Sequence, residues 1–403
     1  MILKIAWKNL WRNKLRSSVL ICSIALGISA GLFLMAMTRG LNTQRIQNAI
    51  GSGLGHIQIH HPDYIAEKST AYQITDTAYV TEVLSGIPGN KKWTYHWNCF
   101  GMAASATGGY GISLVGINPL TEQQVTSIAS SITEGSYFGS SRRNQVVIGE
   151  QLARKLKVKL NNKIVLTFQD ANDNMISNAF RVTGIYRTAS SRFDESTVFV
   201  SRHDINNLIG SASGIHEAVV MLDNTDLQQA AMLIAGKMPE LAVRTWDEVS
   251  PELGYANELM SIALSVFILI IIIAMSFGII NTMLMAVLER QRELGMLMAI
   301  GMSKARVFAM ILVETLCIAL IGGPAGIIAA FLGISYFGAK GIDLSSVGSG
   351  LDSLGIGSVI YTQLDLQMYI IITVTVILTS ILAAVYPSAR AVRLRPAEVI
   401  RKS

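Results

Sequence analysis

Four long, strongly apolar blocks of this 403-residue chain carry no charged residue, and no other feature limits its fold as much. Between Arg16 and Arg39 lie 22 residues without a charge, between Glu258 and Glu289 lie 30, between Glu314 and Lys340 lie 25, and between Asp365 and Arg390 lie 24. A helix needs roughly 20 apolar residues to cross the hydrocarbon core of a bilayer. The sequence therefore predicts four transmembrane helices, at 17–38, 259–288, 304–339 and 366–389. Charged residues make up only 15% of the chain, and they gather in the segments between these blocks.

Lysines and arginines near the span ends set the orientation. Lys4, Lys8, Arg12, Lys14 and Arg16 precede the first span, Arg290, Arg292, Lys304 and Arg306 lie between the second and third, and Arg390, Arg393, Arg395, Arg401 and Lys402 follow the fourth. The loop at 340–365 offers Lys340 against Asp343, Asp352 and Asp365. Both termini and the 289–303 segment are thus expected in the cytoplasm, and residues 39–258 outside. The net charge of +6 is this topology signal, and no nucleic-acid partner is read from it. Cys22 and Cys317 fall in spans and Cys99 lies alone in the outer segment, which leaves no intradomain disulfide to form. The first span is read as a retained anchor, not a cleaved signal.

Residues 1–16 read as a basic amphipathic helix on the inner membrane surface, with Trp7 and Trp11 at headgroup level among the lipids. Gly27 and Gly31 in the first span, and Gly322, Gly323, Pro324 and Gly326 in the third, are candidates for close helix packing, and the proline is equally a candidate hinge. Residues 39–50 continue the first helix outward until Gly51, Gly53 and Gly55. HIQIHHP then alternates as a strand, and His60 and His61 are expected on the surface instead of on a metal. Strands are expected at 93–106 and 110–117 around a turn at Gly108–Gly109, at 145–149, 163–169, 178–187, 196–201, 216–222 and 241–245. Helices are expected at 76–86, 150–157, 203–209 and 226–237, and Trp246 leads into a helix that runs into the second span. No catalytic triad, thiol–imidazole pair or paired carboxylates stand out in this α+β segment, and nothing in it reads as an enzyme. The chain has no GxxxxGK[ST], so any ATP and Mg would be bound by a partner. Glu314, two turns beyond Arg306, either snorkels to the inner surface or faces protein. The 340–365 loop is rich in Gly and Ser, with little to order it.

ERQRELGMLMAIGMSKARVFAMILVE, at 289–314, reads as a short membrane-plane helix between two spans. Together with KIAWKNLWRNKLRSSVL, VVIGEQLARKLKVKLNNKIVL at 146–166 and YPSARAVRLRPAEVIR at 386–401, it resembles the MacB/FtsX (type VII) permeases of ABC transporters. That family includes the lipoprotein-releasing permeases LolC and LolE. TWDEVSPELGYANELM, GHIQIHHPDY and GIYRTASSRFDESTVFVS, with its Phe193–Asp194 pair, resemble segments of those two proteins. The resemblance implies an α+β membrane protein of the inner membrane: four transmembrane helices and a large periplasmic domain, with an inserted subdomain, between the first and second.

It also implies a dimer with a second permease, identical or paralogous, over a dimer of separate ATPase subunits. A fused ATPase ahead of the first span is not expected. Segment 289–303 would be the cytoplasmic coupling helix, with Glu289, Arg290, Glu293, Leu294, Gly295, Met298, Ala299, Gly301 and Met302 as its ATPase-coupling residues. Residues 390–403 would form a cytoplasmic tail. Lipoprotein release, with lipoprotein cargo and a periplasmic chaperone, is the expected function. Efflux of a small molecule or peptide through a periplasmic adaptor is the alternative within the family, and a membrane sensor or scaffold without ATPase is the alternative outside it.

Overall fold

The computed structural model describes residues 6–7, 10–12, 14–87, 91–139, 143–170, 172, 174–210, 214–223, 226–344, 350, 355, 357 and 359–393, with backbone only for Arg16 and Asn257. Most of the glycine-rich loop at 345–358 and the tail beyond residue 393 lie outside the described residues. The chain divides into two compact units, one built from the long apolar helices and one from most of the segment between the first two.

In the first unit each charge-free block is the core of a longer helix: α1 (Lys14–Ala49), α2 (Pro251–Glu289), α4 (Lys304–Lys340) and α5 (Leu366–Val392). A nine-residue helix, α3 (Gln291–Ala299), separates α2 from α4. The expected extension at 39–50 belongs to α1, which then passes into a π turn at Ile50–Leu54, where Gly53 has φ of 130°. The helix expected from Trp246 into the second span is instead two. Trp246–Val249 is closed by a Thr245–Glu248 capping box, Ser250 is non-helical, and α2 starts at Pro251, where a missing N–H costs nothing. Of the amphipathic start, Ala6 and Leu10 are buried while Trp7 and Trp11 are exposed and meet edge to face at 6.2 Å.

The packing of α4 on α1 explains two of the small residues. Leu20, Ile24, Ile28 and Leu32 recur every four residues along α1 and are fully or almost fully buried. Gly322 and Gly326, also four apart, face this stripe, and a Cβ on Gly326 would stand 2.7 Å from the Ala25 carbonyl oxygen. Gly27 abuts Met275 of α2, where a Cβ would lie 2.9 Å from Sδ. A Cβ on Gly31 or Gly323 would meet nothing within 4 Å, and α4 is helical through Pro324. Gly326→Val is therefore expected to destabilise the membrane unit by about 1–3 kcal/mol through overpacking. Gly323→Ala is expected to be neutral or slightly stabilising. Thermal unfolding of both variants in detergent checks this, and equal midpoints would refute the packing contrast.

Among the described residues the second unit holds a sheet of ten strands: β1 (Ile57–His60), β2 (Lys91–Ser105), β3 (Gly108–Ile117), β4 (Ile132–Gly135), β5 (Gln145–Gly149), β6 (Lys163–Gln169), β7 (Met175–Tyr186), β8 (Thr197–Ser201), β9 (Glu217–Leu222) and β10 (Ala242–Thr245). Their order is β10-β1-β9-β2-β3-β8-β5-β7-β4, and β6 pairs with β2 and β7. Only β3–β8 and β5–β7 are parallel among these pairings. The 15-residue β2 is the shared member: Lys91–His96 pair with β9, and Trp97–Ser105 pair with β3. Two larger apolar cores result, beside a smaller cluster of Val115, Ile117, Ile128, Val147, Tyr186 and Phe199. One gathers Ile57, Ile59, Val80, Leu84, Val220 and Ile234, and the other gathers Trp97, Leu114, Val146, Leu152, Phe180 and Val198.

Two expectations need correction. The β2–β3 turn falls at 106–107, and Gly108 and Gly109 open β3 instead of turning the chain. His60 is not a surface residue; it is 1% exposed. Alternation marked it as the outer face of a strand, but β1 lies between β10 and β9 and is buried on both faces.

Candidate functional site

Gln291–Ala299 can form a helix because it lacks β-branched residues and places Leu294, Leu297 and Met298 on one side. Leu294 is 3% exposed, and Leu297, Met298 and Met302 pack against the core of the membrane unit. Its end is set by glycine. Ile300 caps the helix, Gly301 takes φ of 103°, and the N–H groups of Gly301 and Met302 donate to the carbonyls of Met298 and Leu297, a complete Schellman closure. The N–H of Val307 then donates to the Ser303 carbonyl, and α4 begins.

Charge fixes the other end. Arg290, between α2 and α3, places Nε 3.2 Å from Glu293 Oε2 and one terminal nitrogen 3.2–3.3 Å from both oxygens of Glu314. Arg12 also donates to Glu293, and this bond, with the one from Arg290, holds the Glu293 carboxyl below its ordinary range. Glu314, left open between snorkelling and facing protein, faces protein, its side chain only 4% exposed.

Of the residues expected to couple to an ATPase, Leu294 and Gly295 point inward, Met298 and Met302 are half-buried, and Arg290 is turned toward α4. Glu289, Ala299 and Gly301 are exposed, and Glu293 is partly so. The outward face also carries Arg292, Met296 and Ile300, which the sequence reading did not single out; Ile300 is 83% exposed and Met296 53%. Their spacing of four was the available signal, because the inward set already fixes the helix's rotation.

The second unit contains a cluster invisible in sequence. His96 lies between two carboxylates, Nδ1 2.8 Å from Glu217 and Nε2 2.9 Å from Glu122, and Thr94 and Thr126 also donate to Glu122. Asp194 accepts from the Thr188 backbone and hydroxyl, while Phe193 packs near Tyr186 and Phe199. Cys99 is a buried free thiol that burial pushes up to about 12.

Residues 17–236 match the MacB-like periplasmic core domain, and residues 265–396 match the FtsX-like permease C-terminal domain. The chain is 23% identical to the lipoprotein-releasing system transmembrane protein LolC of Neisseria meningitidis serogroup B, over 95% of this chain and 93% of that one. It is 21% identical to the ABC transporter permease YknZ of Bacillus subtilis, over 99% and 98%. It is 24% identical to the pyoverdine export ATP-binding/permease protein PvdT of Pseudomonas syringae pv. syringae, over 81% of this chain and 51% of that protein, so it spans about half of PvdT's length. Four apolar helices with an α+β domain between the first two define a multi-pass membrane protein with a periplasmic domain. The chain belongs to the MacB/FtsX family of ABC transporter permeases.

Proposed function

We propose that this chain is the permease through which a separate ATPase dimer, carrying ATP and Mg, drives motion of the periplasmic domain. In this reading the cargo is lipoprotein released from the inner membrane, and a second permease completes the complex. The observation that carries the coupling role is α3: its inner side is clamped by Arg290, Glu293 and Leu294, while Met296 and Ile300 stand apolar and exposed between Arg292 and Lys304. A rigid helix with an exposed apolar pair at i, i+4 spacing suits docking into a partner's groove. The basic flanks of the spans support cytoplasmic termini, with α3 on the ATPase side in this reading.

The likeness to LolC extends over nearly all of both chains, which favours lipoprotein release. The likeness to PvdT supports export through an adaptor as the second reading, over half of that protein. Closure of the ATPase dimer would draw two α3 helices together and tilt the helices attached to them.

Co-purification tests the coupling role. The wild-type chain is expected to bring down an ATPase subunit, and Ile300→Arg to reduce its yield at least tenfold while the unfolding midpoint of the permease stays unchanged. An undiminished yield from Ile300→Arg, or no ATPase with the wild type, rejects the assignment. Transfer of acyl-labelled lipoprotein from the membrane to the soluble fraction, in cells depleted of the chain, separates release from export.

A further inference from the structure

The periplasmic unit contains a cavity of about 670 Å³ that the coupling role does not use. Sites for drug-sized ligands span about 300–1,000 Å³, so this one is of ligand size. Leu54, Ile65, Phe100, Phe193 and Leu253 give it apolar walls. Arg45, Lys68 and Arg192 converge on it, against the carboxylates of Glu252 and Glu217. Glu217 is already engaged by His96 at 2.8 Å, which leaves the lining with an excess of cationic groups.

Several lining atoms have no hydrogen-bond partner although they are buried. Arg45 donates through a terminal nitrogen to the Leu253 carbonyl at 3.0 Å, but its Nε has no acceptor. The ring nitrogens of His60 fall short of hydrogen-bond geometry, with only the His216 backbone acting weakly on the ring, and Oδ1 of Asn98 has no partner. A buried polar atom left in this state is destabilising. Three such residues around one cavity point to donors and acceptors that come from outside the chain. The imidazole of His60 is held by its stack on Tyr64 at 5.5 Å, and Tyr64 stacks in turn on His216 at 5.2 Å. Burial lowers the His60 pKa, so the ring is neutral, with one N–H to give and one nitrogen to accept.

We propose that this cavity binds an amphipathic anion, a ligand with one carboxylate or phosphate group on an apolar body. The cationic side chains and His60 take the head group, and Phe100, Phe193 and Leu54 take the body. Lys68, whose Nζ lies 5.9 Å from the centre of the Phe100 ring, joins the two kinds of surface. The site is independent of which cargo the transporter moves.

The test uses the full chain in nanodiscs of zwitterionic lipid, titrated calorimetrically with octanoate, octyl phosphate, inorganic phosphate and octanol. Saturable binding of octanoate or octyl phosphate is expected, at one per chain and at least tenfold tighter than inorganic phosphate or octanol. The tighter of the two amphiphiles identifies the head group. Arg45→Gln and Arg192→Gln are each expected to weaken it about tenfold, and Ser113→Phe, which fills the cavity, to abolish it. Arg192 is exposed, so its replacement keeps the test clear of unfolding. Octanol binding as tightly as the anions, affinity unchanged in Arg192→Gln, or no saturable binding of either amphiphile overturns the proposal.

Discussion

Arg290→Ala is expected to destabilise the membrane unit by about 2–3 kcal/mol, through the loss of charge-assisted hydrogen bonds to Glu293 and Glu314. The Glu314 carboxylate is nearly buried and lies at the start of a spanning helix, where losing two contacts from a guanidinium is costly. Glu293 loses one of two donors at the same time and keeps Arg12. Replacing both members by apolar residues also removes the buried carboxylate that lost its guanidinium, so Arg290→Met combined with Glu314→Met should recover much of the loss. Unfolding of the two variants in detergent provides the measurement. A double variant no more stable than Arg290→Ala would mean that the arginine acts through something other than Glu314. The double variant also separates folding from coupling. With its fold restored but α3 no longer tied to α4, it should still bind the ATPase while transmitting turnover less efficiently.

The spans were legible because charge is excluded from a bilayer core wherever the chain crosses it, and that signal is local. The helix ends were less so, since α1 and α2 continue beyond their charge-free blocks on helix-compatible polar residues. The β6–β7 hairpin was also readable, with Gln169 paired to Met175 across the polar turn. What failed was long-range. Arg12 and Glu293 are 281 residues apart, and no local pattern joins them. His60 was misplaced because alternation reports the face of a strand but not whether a second layer covers that face. Gly301 stood out as a motif letter, and its physical reason, the left-handed closure of α3, needed backbone geometry. Met296 and Ile300 could have been found, because Leu294, Leu297 and Met298 already define the opposite side of the helix.

The second large effect concerns the buried His96 cluster. Burial opposes a charge on this imidazole, but Glu122 and Glu217 outweigh it and raise its pKa from 6.5 to about 10. The same pairing, working against burial, lowers Glu217 from 4.5 to about 2. The stabilisation from the His96 proton is complete below pH 6.5 and is lost as pH rises toward 10, where the folded state would hold one more proton than the unfolded. That from Glu217 is complete above pH 4.5 and is lost as pH falls toward 2. His60 and His216 act with the opposite sign to His96. Burial depresses both, so their contribution is present above pH 6.5 and lost as pH falls below it. Stability of the periplasmic unit should therefore decline above pH 6.5, whereas below it the loss from His60 and His216 is partly offset by Asp194, whose carboxyl burial raises to about 6. His96→Gln leaves two buried carboxylates, bound to different nitrogens of the ring, without their cation, at an expected cost of about 3–5 kcal/mol, or roughly 10 °C in melting temperature for a unit of this size. The variant should also lose the part of the decline above pH 6.5 that comes from release of the His96 proton. Melting curves of the full chain from pH 5 to 9 distinguish the two. A wild-type profile flat above pH 6.5 would show that His96 is not held charged by its two neighbours.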